Sequence, residues 1–405
     1  MKIICIGAGA SGLFFSLNAA AYGNEVALLE SNSKAGKKLA ITGKGRCNIT
    51  NNCSPDDVIK NVVRNPKFLY SSINNFAPSD TINWFNNHNC PLKTERGNRV
   101  FPLSDKSSDI INTLLRECKK NNVEILYNQK VTDIKKENDK FIIKTKDDEF
   151  IADKVVIATG GKSYPLTGSN GDGYKFAKKF NHTIINPLSA LCPIRIKETI
   201  NHDMVNLTLK NVSLTAKSAS FNKNIFGDLE FLDKPNAITG PIALTLSSLI
   251  NRLGDVELEL DFKPALDEEK LNNRLLREIS SKPNENVNYL LKTLLPYEIL
   301  DFFVKNSNIN TSKILNSFTK NDRNELIKNL KHFHLTYLGL DDISKGIITS
   351  GGISVNEVNQ KSMESKLVKG LYFIGEVLDV DAFTGGFNLQ IALATAYSCA
   401  MHINE

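Results

Sequence analysis

Apolar and polar positions change their period several times along the chain. KIICI (2–6) is a short apolar run rich in β-branched residues, the pattern of a strand buried on both faces. Residues 13–22 follow a helical period, Gly23 is a helix stop, and EVALLE (25–30) reads as a second buried strand. KVVIATGG (154–161) is again an apolar strand running into glycine. Residues 370–400 read as a strand, then Gly375-Glu376, then a glycine-rich entry into a helix. The middle differs. Between 190 and 255 the pattern alternates in short runs (PIRIKE, VNLTLKNVSLTAKSASF, DLEFL), which predicts a small β-barrel or sheet. Residues 265–331 turn over with a period near 3.6 and predict helices, and a strand near 333–339 is expected to return to the barrel. The expected fold class is α/β: a Rossmann-like nucleotide-binding domain built from 1–189 and 346–405, with an inserted β-barrel-like subdomain at 190–255, a helical insert at 256–331, and a return to the β-subdomain at 332–345.

Composition adds bounds. The chain has 405 residues, 41% hydrophobic and 23% charged, which suits a soluble globular protein of roughly two or three domains. Seven cysteines (5, 47, 53, 90, 118, 192, 399), none in a CxxC pair, fit a reduced compartment better than a disulfide framework. MKIICIGAGASG lacks signal-peptide anatomy, and no apolar stretch reaches the ~18 residues of a membrane helix, so a cytoplasmic location and no membrane partner are expected. The net charge is +6 and unevenly spread: 15 Lys/Arg against 7 Asp/Glu over 31–120, 20 of each over 190–345, and 3 against 6 in the last 60 residues. A clustered basic surplus attracts phosphate, although a solvated face in a Lys- and Asn-rich chain gives the same count.

The first turn carries the clearest chemistry. Gly7-Ala-Gly9-Ala-Ser-Gly12 follows the first strand directly and opens the first helix. Gly7 permits a tight turn, Gly9 lets backbone N–H groups approach a pyrophosphate, and Gly12 lets helix and strand pack closely. Glu30 ends the second strand, where a carboxylate accepts hydrogen bonds from ribose hydroxyls. GDGYKFA (171–177) follows no strand directly, so a second, tightly held nicotinamide site is not evident and NAD(P)H is expected only as a transient visitor. GKGR (43–46) is not a Walker A loop, because Gly45 stands where Ser or Thr is required. His332-Phe-His334 has no supporting cysteine or acidic cluster, and no metal is expected.

KVVIATGG and the 370–400 segment resemble the flavin-binding segments of the glutathione-reductase-like superfamily. GKKLAITGKGRCNITN (36–51), RVFP (99–102), VVIATGGKSYPLTGSNGDGY (155–174), NPLSALCPI (186–194), TGP (239–241), TSGGISVNEV (349–358) and the 370–397 stretch together resemble the BaiN/RdsA (HI0933-like, YhiN-like) family of FAD-dependent oxidoreductases, nearly end to end. That resemblance implies tightly bound FAD. Its implied contacts are Gly7, Gly9, Ser11, Gly12 and Glu30 near the first turn, and Lys38, Arg46, Cys47 and Asn48 in the loop that follows. Further along they are Val131, Thr159 and Gly160, then Gly375, Glu376 and Asp379, then Gly385, Gly386, Asn388 and Leu389. One departure stands out: KPNAITGP (234–241) lacks a histidine usual in the family, so no role of that histidine is carried over.

TGKGRCNITN (42–51) is a polar loop that holds one thiol, Cys47. In the flavin superfamily this segment runs past the pyrophosphate toward the isoalloxazine, so Lys37, Lys38 and Arg46 are expected to face phosphates and Cys47 the reacting edge. Reducing a conjugated C=C takes a hydride and a proton, and a thiol can give the proton; packing under the ring and a redox role stay open. Lys34, Lys37, Lys44 and Arg99 are candidate substrate or phosphate contacts. The family's branches imply two substrates, a uridine of 23S ribosomal RNA reduced to dihydrouridine or a small steroid-like enone. The basic surplus favours RNA. A non-catalytic FAD-containing RNA-binding protein is the third alternative.

Overall fold

The computed structural model describes residues 1–205 and 207–405, and the chain divides into two compact units, 1–190 with 343–405, and 191–342. The first is built on a five-stranded parallel sheet in the order Leu371–Phe373, Lys154–Ile157, Lys2–Ile6, Glu25–Leu29, Glu124–Leu126. Its central strands are apolar at nearly every position because both faces are covered. The helix Ala10–Ala21 is buried over most of its surface and packs against the last helix, Phe387–His402, itself rich in alanine and buried along most of its length. The C-terminal segment thus completes the domain that the N-terminus begins. Among the described residues, four smaller antiparallel sheets decorate it, one of them formed by Thr50–Asn51 with Arg99–Pro102 and Leu92–Glu95.

The second unit is a closed six-stranded barrel in the order Ile194–Ile196, Asn236–Thr239, Phe221–Asp233, Thr208–Ser218, Glu257–Asp261, Phe333–Leu340. Helices including Glu268–Ser281 and Lys320–Lys331 surround a core in which Phe303 and Phe333 stack at 5.5 Å. The helical insert expected from 256 begins later. Glu257–Asp261 is a barrel strand, and its ELELD alternation buries Leu258 and Leu260 in the period of two that a barrel wall needs. Among the described residues, no helix is long and apolar enough to cross a membrane.

Candidate dinucleotide site

The carboxyl ends of the parallel strands converge on the glycine turn. Gly7 has φ 104°, its N–H bonds Leu29 O at 2.8 Å, and a Cβ there would lie 2.7 Å from Ala158 O. A Cβ on Gly12 would lie 1.9 Å from Gly7 O. Packing therefore demands both glycines. Gly9 is different: its φ of −84° suits any residue, and an added Cβ would meet nothing within 4 Å. It caps the first helix with no side-chain acceptor and no acid in the first turn, so an uncapped positive helix end faces open space. Glu30 is buried beside it. Its Oε2 accepts Ala8 N–H at 2.8 Å, and its Oε1 accepts both Asn32 N–H (2.8 Å) and Asn32 Nδ2 (2.7 Å). A carboxylate has about four acceptor positions, so capacity remains on Oε2 for a hydroxyl. Gln129 N–H bonds Glu30 O at 2.8 Å, which brings the 129–131 segment, with buried Val131, to the same edge.

The second half of the chain closes on this turn. Gly375, at φ 71°, would press a Cβ to 2.6 Å from Ser11 Oγ, so the C-terminal segment lies directly on the first helix. Lys38 Nζ donates to Ser163 Oγ (2.6 Å) and to Glu376 Oε2 (2.7 Å). Glu376 Oε1 accepts from Ser163 Oγ and from Thr349 N–H, both at 3.0 Å. Lys38 and Glu376 are both half-buried, where an ion pair with this many partners is well satisfied. Gly385 and Gly386, at φ 128° and 100°, lead into the last helix, which also has no side-chain cap. A Cβ on Gly386 would lie 2.2 Å from Thr50 O, and Asn51 Nδ2 donates to Gly385 O at 3.0 Å. Thr159 Oγ1 is buried without a hydrogen-bond partner at the end of its strand, next to Gly160. An uncapped helix end beside open space, a buried carboxylate with spare acceptor capacity and a second uncapped helix end fit a flavin dinucleotide.

Several expected contacts are engaged by the protein itself. Cys47 has no exposed surface, and burial pushes its thiol up to about 12. Full burial favours a packing role for this thiol over the proton-donor role. Arg46 is not a free phosphate contact: its guanidinium pairs with Glu95 and Asp105 and lies 4.2 Å from the centroid of the Phe101 ring. Lys38 holds Glu376 rather than standing open to a phosphate, and Lys37 Nζ bonds Asn32 Oδ1 at 2.7 Å. Asn48 Oδ1 accepts Val100 N–H at 3.1 Å. Asp379 takes two bonds from Arg64, at 2.6 and 2.7 Å. Asn388 clamps its own loop through Ala382 N and O, and Leu389 packs on the core. Lys34, Lys44 and Arg99 are exposed.

Sequence reasoning missed Asn32, Asn51, Ser163, Thr349 and Arg64. Asn51, Ser163 and Thr349 lie in the family-like stretches, yet nothing in their local pattern marks a partner more than a hundred residues away. Arg64 was visible only as one charge in the basic surplus.

A parallel sheet whose first turn, second-strand carboxylate and C-terminal helix meet at one edge, in a chain interrupted by a barrel, defines the class of FAD-dependent oxidoreductases with a Rossmann-like domain. The chain belongs to the HI0933-like family, whose description, HI0933-like protein Rossmann domain, matches residues 1–402. It is 28% identical over 408 residues to a ribosomal RNA dihydrouridine synthase of Haemophilus influenzae, covering 99% of this chain and 98% of that one. It is 26% identical over 405 residues to a 3-dehydro-bile acid delta(4,6)-reductase of Clostridium scindens, covering 98% and 97%. In fold it is similar to a 3-ketosteroid delta1-dehydrogenase of Sterolibacterium denitrificans, with TM-score 0.52, 12% identity and coverage of 99% and 98%.

Proposed function

We propose that this protein reduces a uridine of 23S ribosomal RNA to dihydrouridine, with FAD bound tightly in the first unit and NAD(P)H visiting as electron source. The observation that carries this reading is the set of exposed cations over 31–120 of the flavin domain that, among the described residues, hold no carboxylate ion pair: Lys34, Lys44, Lys67, Arg96, Arg99, Lys106 and Lys119. Phosphate contacts of this kind supply most non-specific nucleic-acid affinity. The full-length similarity to a ribosomal RNA dihydrouridine synthase supports the same substrate.

Bound FAD supplies the hydride chemistry, from a nicotinamide to the electron-poor carbon of a conjugated C=C. The residues of the chain bind and orient. The open N-terminus at Gly9 and the Glu30 carboxylate suit the pyrophosphate and ribose of the cofactor. The Lys38–Glu376–Ser163 cluster pins the loop after the second strand to the C-terminal segment. The N-terminus of the last helix would offer positive potential to a reduced flavin held beside it. A uracil in folded RNA must leave its stack to reach such a site.

A small-molecule enone reductase is the second reading, favoured by the similarity to the bile-acid reductase. Mapping dihydrouridine in ribosomal RNA separates the two. A strain without this gene loses one dihydrouridine of the large subunit and regains it on complementation. Unchanged dihydrouridine would leave the enone reading.

A further inference from the structure

We infer that the β-hairpin Leu92–Pro102, with the 42–46 loop packed beside it, is the RNA-docking element of the flavin domain. It would hold the ribose-phosphate backbone next to the N-terminus of the last helix. This inference rests on the ribosomal RNA reading above and names the surface that reading needs.

The hairpin turns at Arg96-Gly97-Asn98, with Gly97 at φ 75° and Asn98 at φ 57°. Its ladder pairs Glu95 with Arg99, and Thr50–Asn51 adds a third strand. Phe101 links it to the 42–46 loop: the Arg46 and Arg99 guanidinium carbons lie 4.2 and 5.8 Å from the ring centroid, and a Cβ on Gly43 would lie 3.3 Å from Phe101 Cε1. The two carboxylates of this face, Glu95 and Asp105, are both engaged by Arg46 and Lys93. Among the described residues, Lys44, Arg96, Arg99 and Lys106 remain exposed with no carboxylate ion pair, and Arg99 Nε donates to Arg96 O at 3.1 Å. Exposed cations that hold no ion pair, on the hairpin and the segments packed beside it, add little to the stability of the fold. Lys44 also adopts φ 58°, a left-handed conformation unfavourable for a side chain of its kind. Binding a polyanion accounts for an arrangement that stability does not.

Position supplies the second argument. Buried Asn51 donates through one Nδ2 to Gly97 O (3.1 Å) at the hairpin tip and to Gly385 O (3.0 Å) at the entry to the last helix. Asn52 N–H also bonds Asn98 O at 2.7 Å. The basic tip is therefore one side chain away from the uncapped helix end proposed above to face the flavin. A nucleotide can leave its stack for that site only if its flanking phosphates are held close by, and guanidinium groups at the tip suit that task.

The test uses FAD-loaded protein and an unmodified transcript of large-subunit ribosomal RNA. Lys44→Glu, Arg96→Glu and Arg99→Glu are combined, and a control carries Lys146→Glu, Lys178→Glu and Lys361→Glu, exposed lysines of the same unit outside that cation set, for the same change in net charge. With wild-type FAD content, the hairpin variant should bind the transcript at least about 30-fold more weakly at 100 mM salt, and its log–log salt slope should fall by about two to three. The control should keep most of the wild-type affinity. Equal losses in both variants would reduce the effect to net charge and overturn the inference, as would wild-type affinity in the hairpin variant. A hairpin variant that binds RNA normally but has a raised KM for NADPH would assign the face to the nicotinamide cofactor and also overturn it. If wild-type protein binds the transcript with no salt dependence, or not at all, the RNA reading fails and the hairpin assignment with it.

Discussion

At Cys47 the side chain faces inward from a polar loop. Its φ is 62°, its N–H bonds Thr42 O at 3.0 Å, and its thiol has no exposed surface. The sequence around it, TGKGRCNITN, looks like an exposed active-site loop because its polar residues dominate the pattern. The left-handed residue that turns one apolar side chain into the core is invisible to hydrophobic periodicity. The consequence is direct. Cys47→Ala should cost about 1 kcal/mol of stability, the order expected for losing a small buried group, and leave substrate turnover within about threefold of wild type. A positioned general acid is worth ~100-fold or more, so a loss of that size with FAD still bound would restore the donor role. Brief iodoacetamide treatment of folded protein at pH 8, followed by peptide mass spectrometry, should leave Cys47 unmodified, because its thiol is both inaccessible and held up to about 12.

The elements divide into those whose pattern is local and those whose role is tertiary. The first turn was legible because three glycines, a strand and a helix occur within one short window. Even there, the glycines do unlike work. Gly12→Ala should destabilise the fold severely, since its Cβ would overlap Gly7 O. Gly9→Val should fold, because its φ is ordinary and its neighbourhood open, yet lower FAD affinity by at least about tenfold by filling the space beside the helix end. Apoprotein melting temperatures and FAD titration check the pair; equal loss of stability in both would contradict the open site. The strand Glu257–Asp261 was absorbed into a helical expectation because five residues of ELELD precede a long helical period. The junction of Thr183 with the C-terminal segment hides a different feature. His182 is buried, its Nε2 is 2.7 Å from Ser365 Oγ, and burial lowers its pKa despite Glu357 at 3.3 Å. The unfolded chain binds this proton near pH 6.5 while the folded one does not, so the contribution is complete above about 6.5 and lost as pH falls below it. The stability difference between wild type and His182→Gln should therefore shrink from pH 7.5 to pH 5; a constant difference would contradict a neutral buried imidazole.

For the whole molecule, charge was read correctly as a regional surplus but not as a surface. Seven of the fifteen cations between 31 and 120 are engaged by carboxylates, Lys38, Arg46, Lys60, Arg64, Lys93, Arg116 and Lys120. Which remain available depends on pairings such as Arg64 with Asp379, separated by more than three hundred residues, and no window of sequence contains both. Alternation marked the insert as a small barrel or sheet, and its closure into a barrel was not legible, because register between distant strands is a tertiary property. Purified protein should be incubated without oxygen with NAD(P)H and an unmodified large-subunit ribosomal RNA transcript, and dihydrouridine mapped at nucleotide resolution. Stoichiometric dihydrouridine should form at a single uridine, dependent on NAD(P)H and suppressed by high salt. NAD(P)H consumption with a conjugated steroid enone and none with the transcript, with no dihydrouridine formed, would contradict the ribosomal RNA reading.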